Sequence, residues 1–436
     1  MNCLTTNQDV ARIASVKTAL TLLLALAAIL AYASPSSARQ AEPPASLAVQ
    51  PGDTWAALAL RFGVAAEALR ALNPHMNTQR QPAIGATLTL PAGAVERPGG
   101  LVRPNEGGLL HTAARAGLSP WALARLNGLS SPYRPTFYRP LYRPGEGVIR
   151  DLPAGFASLE VSHAPAAPGR ALGLRGVWAR QPGAGQSATV SARLGTLPVV
   201  TASAGERFVG VVGTGAFFGG GEPELLLRVG DGPVWAQPWL FVDREWEYQE
   251  LTLTGEAAEI DQAARDEERA RLRELWTTVT PEPRWTAAFQ TPITDVIQVS
   301  ANYGARRSYN GGPYLTYHEG VDFSAYGGTP VLAPAAGTVA LAEQLYVRGG
   351  AVIIDHGLGI YTGYYHLSAV HATPGQAVEP GDLLGEVGTT GLSTGNHLHW
   401  DLLINGVWVD AAAWQAEGMA CWLLEGMGRR CGESEP

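Results

Sequence analysis

Hydrophobic residues recur at two different periods along the chain, and the change of period divides it into segments. Within residues 46–92, Trp55, Leu58 and Phe62 recur at helical spacing, and a short apolar run stands on either side. This order predicts a small α+β unit of strand, helix, helix and strand. Residues 100–150 repeat the order weakly and lack the Gly-Asp-Thr turn of the first unit, which predicts a degenerate second unit.

Apolar and polar residues alternate through residues 155–254, between turns rich in glycine and proline. This pattern predicts short strands in an antiparallel sandwich of immunoglobulin type, which we interpret as a spacer or as a module that positions a substrate. Residues 256–284 place apolar side chains near one helical face and then become proline-rich, which predicts an amphipathic helix and a linker. Strand patterns return in residues 285–415, and residues 416–436 are predicted to be a C-terminal tail.

The N-terminal segment has the order of a secretory signal. Arg12 and Lys17 precede an apolar run and then small residues, so residues 1–38 are predicted to be a signal peptide. The run is about 16 residues long, which is shorter than a comfortable membrane span; an uncleaved anchor is the alternative. Export favours a disulfide between Cys421 and Cys431, against the alternative of two free thiols.

Composition narrows the class of protein. The chain has 436 residues, of which 46% are hydrophobic and 16% charged, so several folded domains are expected rather than disorder. The 52 glycines and 31 prolines favour strands and turns, and the predicted fold class is mainly β and multidomain. The net charge of −8 and the lack of a basic stripe argue against nucleic acid as a partner.

The candidate chemistry lies in histidine motifs of residues 285–415. His318 and Asp322 are four residues apart with Gly320 between them, and His397 and His399 are two apart. Residues at even offsets in a strand share a face, so two neighbouring strands can offer two imidazoles and a carboxylate to one ion. That ligand set suits zinc, and three protein ligands leave a fourth position open for catalysis.

Residues 46–92 resemble a LysM domain. The matching stretches are Val-x-x-Gly-Asp-Thr-Trp, Ala-x-x-Phe-Gly-Val, Leu-x-x-Leu-Asn-Pro and Ile-Gly-x-x-Leu-x-Leu-Pro. The resemblance implies binding of glycan that contains N-acetylglucosamine, near Gly52, Asp53, Thr54 and the loop after Asn73. The alternative is a small structural domain without a ligand.

Residues 300–411 resemble the LytM/lysostaphin-type zinc endopeptidases. The supporting stretches include Tyr303-Gly304-x-Arg306, His318-x-Gly320-Val321-Asp322-Phe323, Tyr364-x-His366-Leu367-Ser368 and Gly391-x-Ser393-Thr394-Gly395-x-His397-Leu398-His399. The resemblance implies an antiparallel sheet with a narrow groove, and it assigns zinc ligands, catalytic histidines and groove-lining residues. The ligands are His318, Asp322 and His399, the catalytic histidines are His366 and His397, and the groove residues are Asn302, Tyr303 and Tyr364.

Together these features predict an exported zinc metalloendopeptidase that cuts peptide cross-links of bacterial peptidoglycan and is anchored to glycan by LysM. The location is the periplasm, the cell envelope or the medium. One alternative is a non-enzymatic regulator that activates a partner cell-wall amidase, and another is a zinc peptidase that acts on proteins. All five metal and catalytic positions are occupied here, which favours the enzyme.

Overall fold

The computed structural model describes residues 45–76, 80–102, 108–133, 140–179 and 189–432. The predicted signal peptide lies outside the described residues. The described chain is mainly β and is built from several sheets, which confirms the predicted fold class. None of its helices within these ranges is both long and apolar enough to span a membrane.

Two βααβ units come first. The first contains β1 (Ser46–Ala48), α1 (Trp55–Phe62), α2 (Ala66–Leu72) and β2 (Thr87–Thr89), and the second contains β3 (Gly99–Val102), α3 (Gly108–Arg115), α4 (Pro120–Leu126) and β4 (Leu141–Pro144). The outer strands of each unit pair in antiparallel fashion. Helix α1 begins where the Thr54 side chain accepts the backbone N–H of Ala57, and it ends at Gly63, whose φ of 65° suits glycine.

An asparagine at the end of each second helix makes the same contacts in both units. Asn73 donates to the carbonyl four residues earlier at 2.7 Å and accepts the backbone N–H of Thr89 at 2.8 Å. Asn127 donates to the carbonyl four residues earlier at 2.8 Å and accepts the backbone N–H of Tyr142 at 2.6 Å. The second unit is therefore built like the first, although its sequence is degenerate.

Two four-stranded antiparallel sheets follow. Their strands are β5 (Phe156–Val161), β6 (Ala171–Trp178), β7 (Val190–Leu194), β8 (Leu197–Pro198), β9 (Val200–Ala204), β10 (Arg207–Gly213), β11 (Glu224–Val229) and β12 (Trp235–Pro238). The orders are β5-β6-β10-β9 and β12-β11-β7-β8. Both sheets contribute to one core, in which Phe208 and Leu225 are fully buried. This is the packing that the alternation of apolar and polar residues predicts.

The carboxamide of Gln237 in β12 joins the sandwich to the first unit. Its Oε1 accepts the backbone N–H of Gly52 at 2.8 Å, and its Nε2 donates to the carbonyl of Pro82 at 3.0 Å. Longer contacts reach the carbonyls of Gln50 at 3.4 Å and Asp53 at 3.5 Å. Gln237 is fully buried, so one side chain satisfies backbone groups from both loops of the unit.

The residues predicted to bind glycan are not exposed in the structure. Asp53 and Asn73 have no exposed surface and Thr54 is 5% exposed. A Cβ on Gly52 would lie 2.9 Å from the Cβ of Arg150, so the loop is covered from that side too. Gly52, Asp53 and Thr54 are therefore covered by neighbouring segments, and Asn73 is buried inside its own unit, so these four residues do not form an open sugar-binding surface.

We expect the substitution Gln237→Leu to lower the free energy of unfolding by about 2 kcal/mol, because leucine fills the space but leaves buried backbone groups without partners. Thermal and urea unfolding would measure the change. Gln298→Leu, on an exposed strand position, is the matched control and should shift stability by no more than about 0.5 kcal/mol. Equal effects of the two substitutions would contradict the role given to the Gln237 carboxamide.

A strand and a helix connect the sandwich to the C-terminal domain. Strand β13 (Tyr248–Leu251) is followed by a 3-10 turn (Gly255–Glu259) and by α5 (Gln262–Thr277). The Asp261 side chain caps α5 by accepting the backbone N–H of Ala264 at 2.9 Å. Helix α5 buries Glu268, Leu272 and Trp276, and it is the amphipathic helix predicted in this part of the chain.

The C-terminal domain is a large antiparallel sheet. Its elements are β14 (Gln298–Ala301), β15 (Arg306–Tyr309), β16 (Thr316–Tyr317), β17 (Gly320–Ser324), β18 (Pro330–Leu332), β19 (Gly337–Leu345), β20 (Gly349–Gly357), β21 (Ile360–Val370), β22 (Ala377–Val378), β23 (Leu383–Val387), β24 (His397–Ile404), β25 (Val407–Val409), α6 (Ala411–Ala416) and α7 (Met419–Gly426). The central order is β14-β17-β24-β21-β20-β19-β22. Strands β15 and β16 pair outside this sheet, and β13 joins them in parallel with β15.

The C-terminal segment is folded rather than a tail. Helix α7 buries Met419, Leu423 and Leu424 in the same core as the large sheet. Cys421 is joined to Cys431 in a disulfide. The apolar side chains of α7 need cover from water, so the prediction of a tail is wrong for residues 416–432, the described part of 416–436.

Candidate metal centre

Strand register brings the candidate ligands together. Asp322 of β17 lies directly opposite His399 of β24, and His318 stands just before β17. His318 Nε2 lies 2.9 Å from Asp322 Oδ1 and 3.0 Å from His399 Nδ1, while His399 Nδ1 lies 2.8 Å from Asp322 Oδ1. Three potential ligand atoms thus converge on one point, in the part of the chain that the structure describes.

Neighbouring groups orient these ligands. His318 Nδ1 donates to the carbonyl of Asn302 at 3.0 Å, which turns Nε2 toward the centre. Arg307 donates to Asp322 Oδ2 at 3.0 Å, which leaves Oδ1 for the centre. Burial lowers the pKa of His318 to about 4, so its imidazole is neutral at pH 7 and keeps a lone pair for a cation. Two imidazoles and one carboxylate of this kind fit a zinc ion.

Gly320 makes room for the third ligand. A Cβ at this position would lie 2.3 Å from the carbonyl oxygen of Trp400 and 2.8 Å from His399 Nε2. Both atoms belong to β24, the strand that carries His399. A side chain at Gly320 would therefore push β17 away from the imidazole of His399.

We expect Gly320→Ala to lower zinc affinity by at least about 10-fold, the range seen when groups that orient metal ligands are disturbed. Competition with a zinc-binding dye would measure the affinity. Gly395→Ala is the matched control, because a Cβ there meets no atom within 4 Å. Zinc affinity equal to wild type in Gly320→Ala would show that the two strands can separate without harm to the site.

Two further histidines flank the centre. His366 Nδ1 donates to the carbonyl of Thr390 at 2.8 Å, and His397 Nδ1 donates to the carbonyl of Gly395 at 2.8 Å. Both rings therefore keep Nε2 for other contacts, and His397 Nε2 lies 3.8 Å from Asp322 Oδ1. The centroids of the His366 and His397 rings are 4.7 Å apart.

The environment keeps both histidines neutral. Burial, with the nearby His397 as a smaller cause, lowers the pKa of His366 to about 3. Burial also lowers the pKa of His397. His366 further adopts a φ of 64°, a left-handed conformation that costs energy in a non-glycine residue and recurs at functional sites. Its ring is thus held in place by the surrounding sheet.

The structure corrects two of the three predicted groove residues. Tyr364 is fully buried in the core with its hydroxyl 2.7 Å from Thr362, on the face opposite the centre. Tyr303 is buried and donates to the carbonyl of Trp408 at 2.7 Å. Asn302 is exposed beside the centre, where it contributes its carbonyl to His318.

Two residues that the sequence analysis did not predict lie beside the centre instead of the two tyrosines. Tyr365, one position after Tyr364, stacks on His399 with ring centroids 5.6 Å apart. The guanidinium of Arg348 lies 5.2 Å from the centroid of Tyr365. No local pattern identified Tyr365, because only the pairing of β21 with β24 places it opposite His399 and so on the same face.

Two family descriptions match segments of the chain. Residues 316–411 match peptidase family M23, and this range contains His318, Asp322 and His399. Residues 48–91 match the LysM domain. The chain therefore carries an M23 peptidase domain and a LysM domain. Both resemblances inferred from the sequence are confirmed.

Curated relatives match over about a quarter of the chain. Peptidoglycan DD-endopeptidase ShyA of Vibrio cholerae is 36% identical over 125 residues, which cover 28% of this chain and 29% of that protein. DD-carboxypeptidase/endopeptidase Mpg of Neisseria meningitidis is 45% identical over 89 residues, which cover 20% of each chain. A solved M23 peptidase of Pseudomonas aeruginosa is 25% identical with a TM-score of 0.43, covering 58% of this chain and 96% of that one. The chain thus spans less than a third of the length of these curated relatives.

Proposed function

We propose that the chain is an exported zinc metalloendopeptidase that hydrolyses peptide cross-links of bacterial peptidoglycan. The observation that carries the proposal is the convergence of His318 Nε2, Asp322 Oδ1 and His399 Nδ1 within 3.0 Å of one another. Three protein ligands with an open side are typical of catalytic rather than structural zinc. His366 and His397 stand beside the three ligands, as hydrolysis requires.

The two flanking histidines supply the proton chemistry. When bound, a zinc ion acts as a Lewis acid that polarises the scissile carbonyl and makes a neighbouring water more acidic. A neutral imidazole with Nδ1 fixed on a carbonyl presents a lone pair at Nε2, which can take a proton from the attacking water and pass it to the leaving amine. His366 and His397 both meet this requirement. The ring that has taken the proton at Nε2 becomes a cation, and it can stabilise the negative charge on the carbonyl oxygen until it passes the proton to the leaving amine.

The cell wall as a substrate is supported by the LysM domain and by the similarity to the peptidoglycan DD-endopeptidase ShyA and the DD-carboxypeptidase/endopeptidase Mpg. Gln237 and its neighbours cover the loop of Gly52, Asp53 and Thr54, whereas Pro74 and His75 of the second predicted loop are exposed. Any contact of the described LysM surface with glycan would therefore use residues outside the covered loop. The signal-like sequence of residues 1–38 supports export to the compartment where the wall is found.

Digestion of purified peptidoglycan tests the proposal. The mature chain is incubated with wall material, with and without a zinc chelator, and the products are identified by mass spectrometry alongside the zinc content of the protein. Chelator-sensitive release of peptides with new amino termini would establish the activity and identify the bond. A protein that binds no zinc and releases no peptide would instead support the regulator of a partner amidase.

A further inference from the structure

A cleft of about 120 Å³ opens beside the metal centre, and α5 forms one of its walls. Gln262, Arg265 and Arg269 of this helix line the cleft together with His318, His366 and His399 among others. The spacing of three and four residues puts the helical side chains on one face of α5. A segment outside the M23 match thus borders the space in which a substrate would lie.

Helix α5 is firmly seated on the M23 domain. The Glu268 carboxylate accepts the backbone N–H of Val347 at 2.7 Å and Arg348 Nη1 at 2.9 Å. Leu272 and Trp276 are almost fully buried one and two turns further along. The helix is therefore a fixed wall of the cleft, and its side chains hold defined positions beside the cleft.

The lining of the cleft is rich in cations, and three of its four arginines face a carboxylate. Arg269 and Arg348 contact Glu319 at 2.5 Å and 3.4 Å. Arg307 contacts Asp322 at 3.0 Å. Arg348 also pairs with Glu268, so carboxylates balance these three arginines. Arg265 is then the cation of the lining that is left to attract an anion, within the described ranges.

Arg265 differs from the other three. Within the described ranges it makes no ion pair, although its Nε, like that of Arg269, is buried without a hydrogen-bond partner. Its Nη2 donates to the carbonyl of Ile260 at 3.2 Å, and its guanidinium lies 4.4 Å from the centroid of the Tyr309 ring. The ring supports the flat face of the guanidinium, which leaves its edge for a planar anion such as a carboxylate.

We infer that Arg265 binds a free carboxylate of the substrate, so that the enzyme prefers stem peptides with a carboxylate next to the scissile bond over the same peptides as amides. The inference rests on the proposed function, since it assigns the substrate class of that site. A carboxylate in the cleft can pair with the terminal N–H groups of the guanidinium in bidentate fashion and so provides the counterion that Arg265 lacks within the described ranges. A neutral amide can do neither as well.

The test compares one substrate in two chemical forms. Cross-linked soluble muropeptides with free stem carboxylates are used as isolated and after amidation with carbodiimide and ammonia, and kcat/KM is measured on both. Arg265→Ala should lose about 10-fold to 100-fold on the carboxylate form and change less than about 3-fold on the amidated form. Arg265→Lys should recover part of the loss, because lysine keeps the charge but not the bidentate geometry.

Arg271→Ala is the matched control, because Arg271 lies on the same helix but pairs with Glu343 of β19 away from the cleft. It should act like the wild type on both substrates. Equal hydrolysis of both forms by the wild type, or an equal loss on both in Arg265→Ala, would overturn the inference. A gain on both forms in Arg265→Ala would also overturn it, since the arginine would then obstruct the cleft.

Equilibrium binding to the metal-free protein separates this inference from the proposed function. If the wild type binds the carboxylate form more tightly than the amidated form and Arg265→Ala loses this preference, the role of Arg265 is supported. This holds even if the zinc-loaded wild type hydrolyses neither form, and in that case only the proposed function fails. If the wild type binds the two forms equally, the inference is overturned. If it nevertheless hydrolyses either form, the proposed function still holds. No binding and no hydrolysis overturn both.

Discussion

Replacing His318 or Asp322 with alanine is expected to remove zinc and activity together. Each residue supplies one of three converging ligand atoms, and two remaining ligands do not hold the ion in an open catalytic site. Asp322→Ala also removes the carboxylate that balances Arg307, so a cation at the centre would then face an unpaired guanidinium. Zinc should fall from about one ion per chain to near zero, and wall hydrolysis by at least about 1000-fold.

Zinc analysis of the purified variants and release of wall peptides would measure these two losses. His371→Ala is the matched control, because His371 is exposed and pairs with Glu386 away from the centre. It should keep wild-type zinc and wild-type activity. A His318→Ala protein that keeps its zinc would show that the ion binds elsewhere, and the assignment of this centre would be wrong.

Replacing His366 is expected to separate zinc binding from catalysis. The ring of His366 contacts His397 and stands 6.1 Å from the ring of His399, but none of its atoms belongs to the three ligands. Loss of a group that moves a proton in the reaction typically costs about 100-fold to 10,000-fold. We therefore expect His366→Ala to hold one zinc ion and to lose activity in that range.

The left-handed backbone at His366 calls for a second variant. Alanine is strained at a φ of 64°, whereas asparagine tolerates it, so His366→Asn tests the imidazole without the backbone effect. Both variants should bind zinc and be nearly inactive, as kinetics on purified wall and zinc analysis would report. Full activity in His366→Asn would remove His366 from the proposed chemistry.

The placement of α5 changes how the M23 domain is delimited. Strand β13 pairs with β15 beside the candidate centre, and α5 borders the cleft, yet both precede the predicted start of the domain at residue 285. A fragment that begins at residue 285 would lose the buried contacts of Glu268 and Trp276 and the wall that carries Arg265. Tests of activity therefore need the residues before position 285 as well.

The spacing of residues along the sequence was enough to predict the candidate ligands that lie on β-strands. His318, Asp322, His397 and His399 could be read as candidates because even offsets share a face and because imidazoles with a carboxylate suit zinc. The motifs around them were dense enough to indicate the M23 family, and the strand and helix periods were enough for the mainly β class. All of this information lies within short stretches of the chain.

Contacts between distant segments decided the rest. Tyr364 and Tyr365 are neighbours with the same side chain, and only the pairing of β21 with β24 shows which of them meets His399. The loops around Gly52 are covered by Gln237, a residue 185 positions away, for reasons of packing that no local motif carries. Arg265 likewise reaches the cleft only because Leu272 and Trp276 need an apolar surface, and the M23 domain provides it.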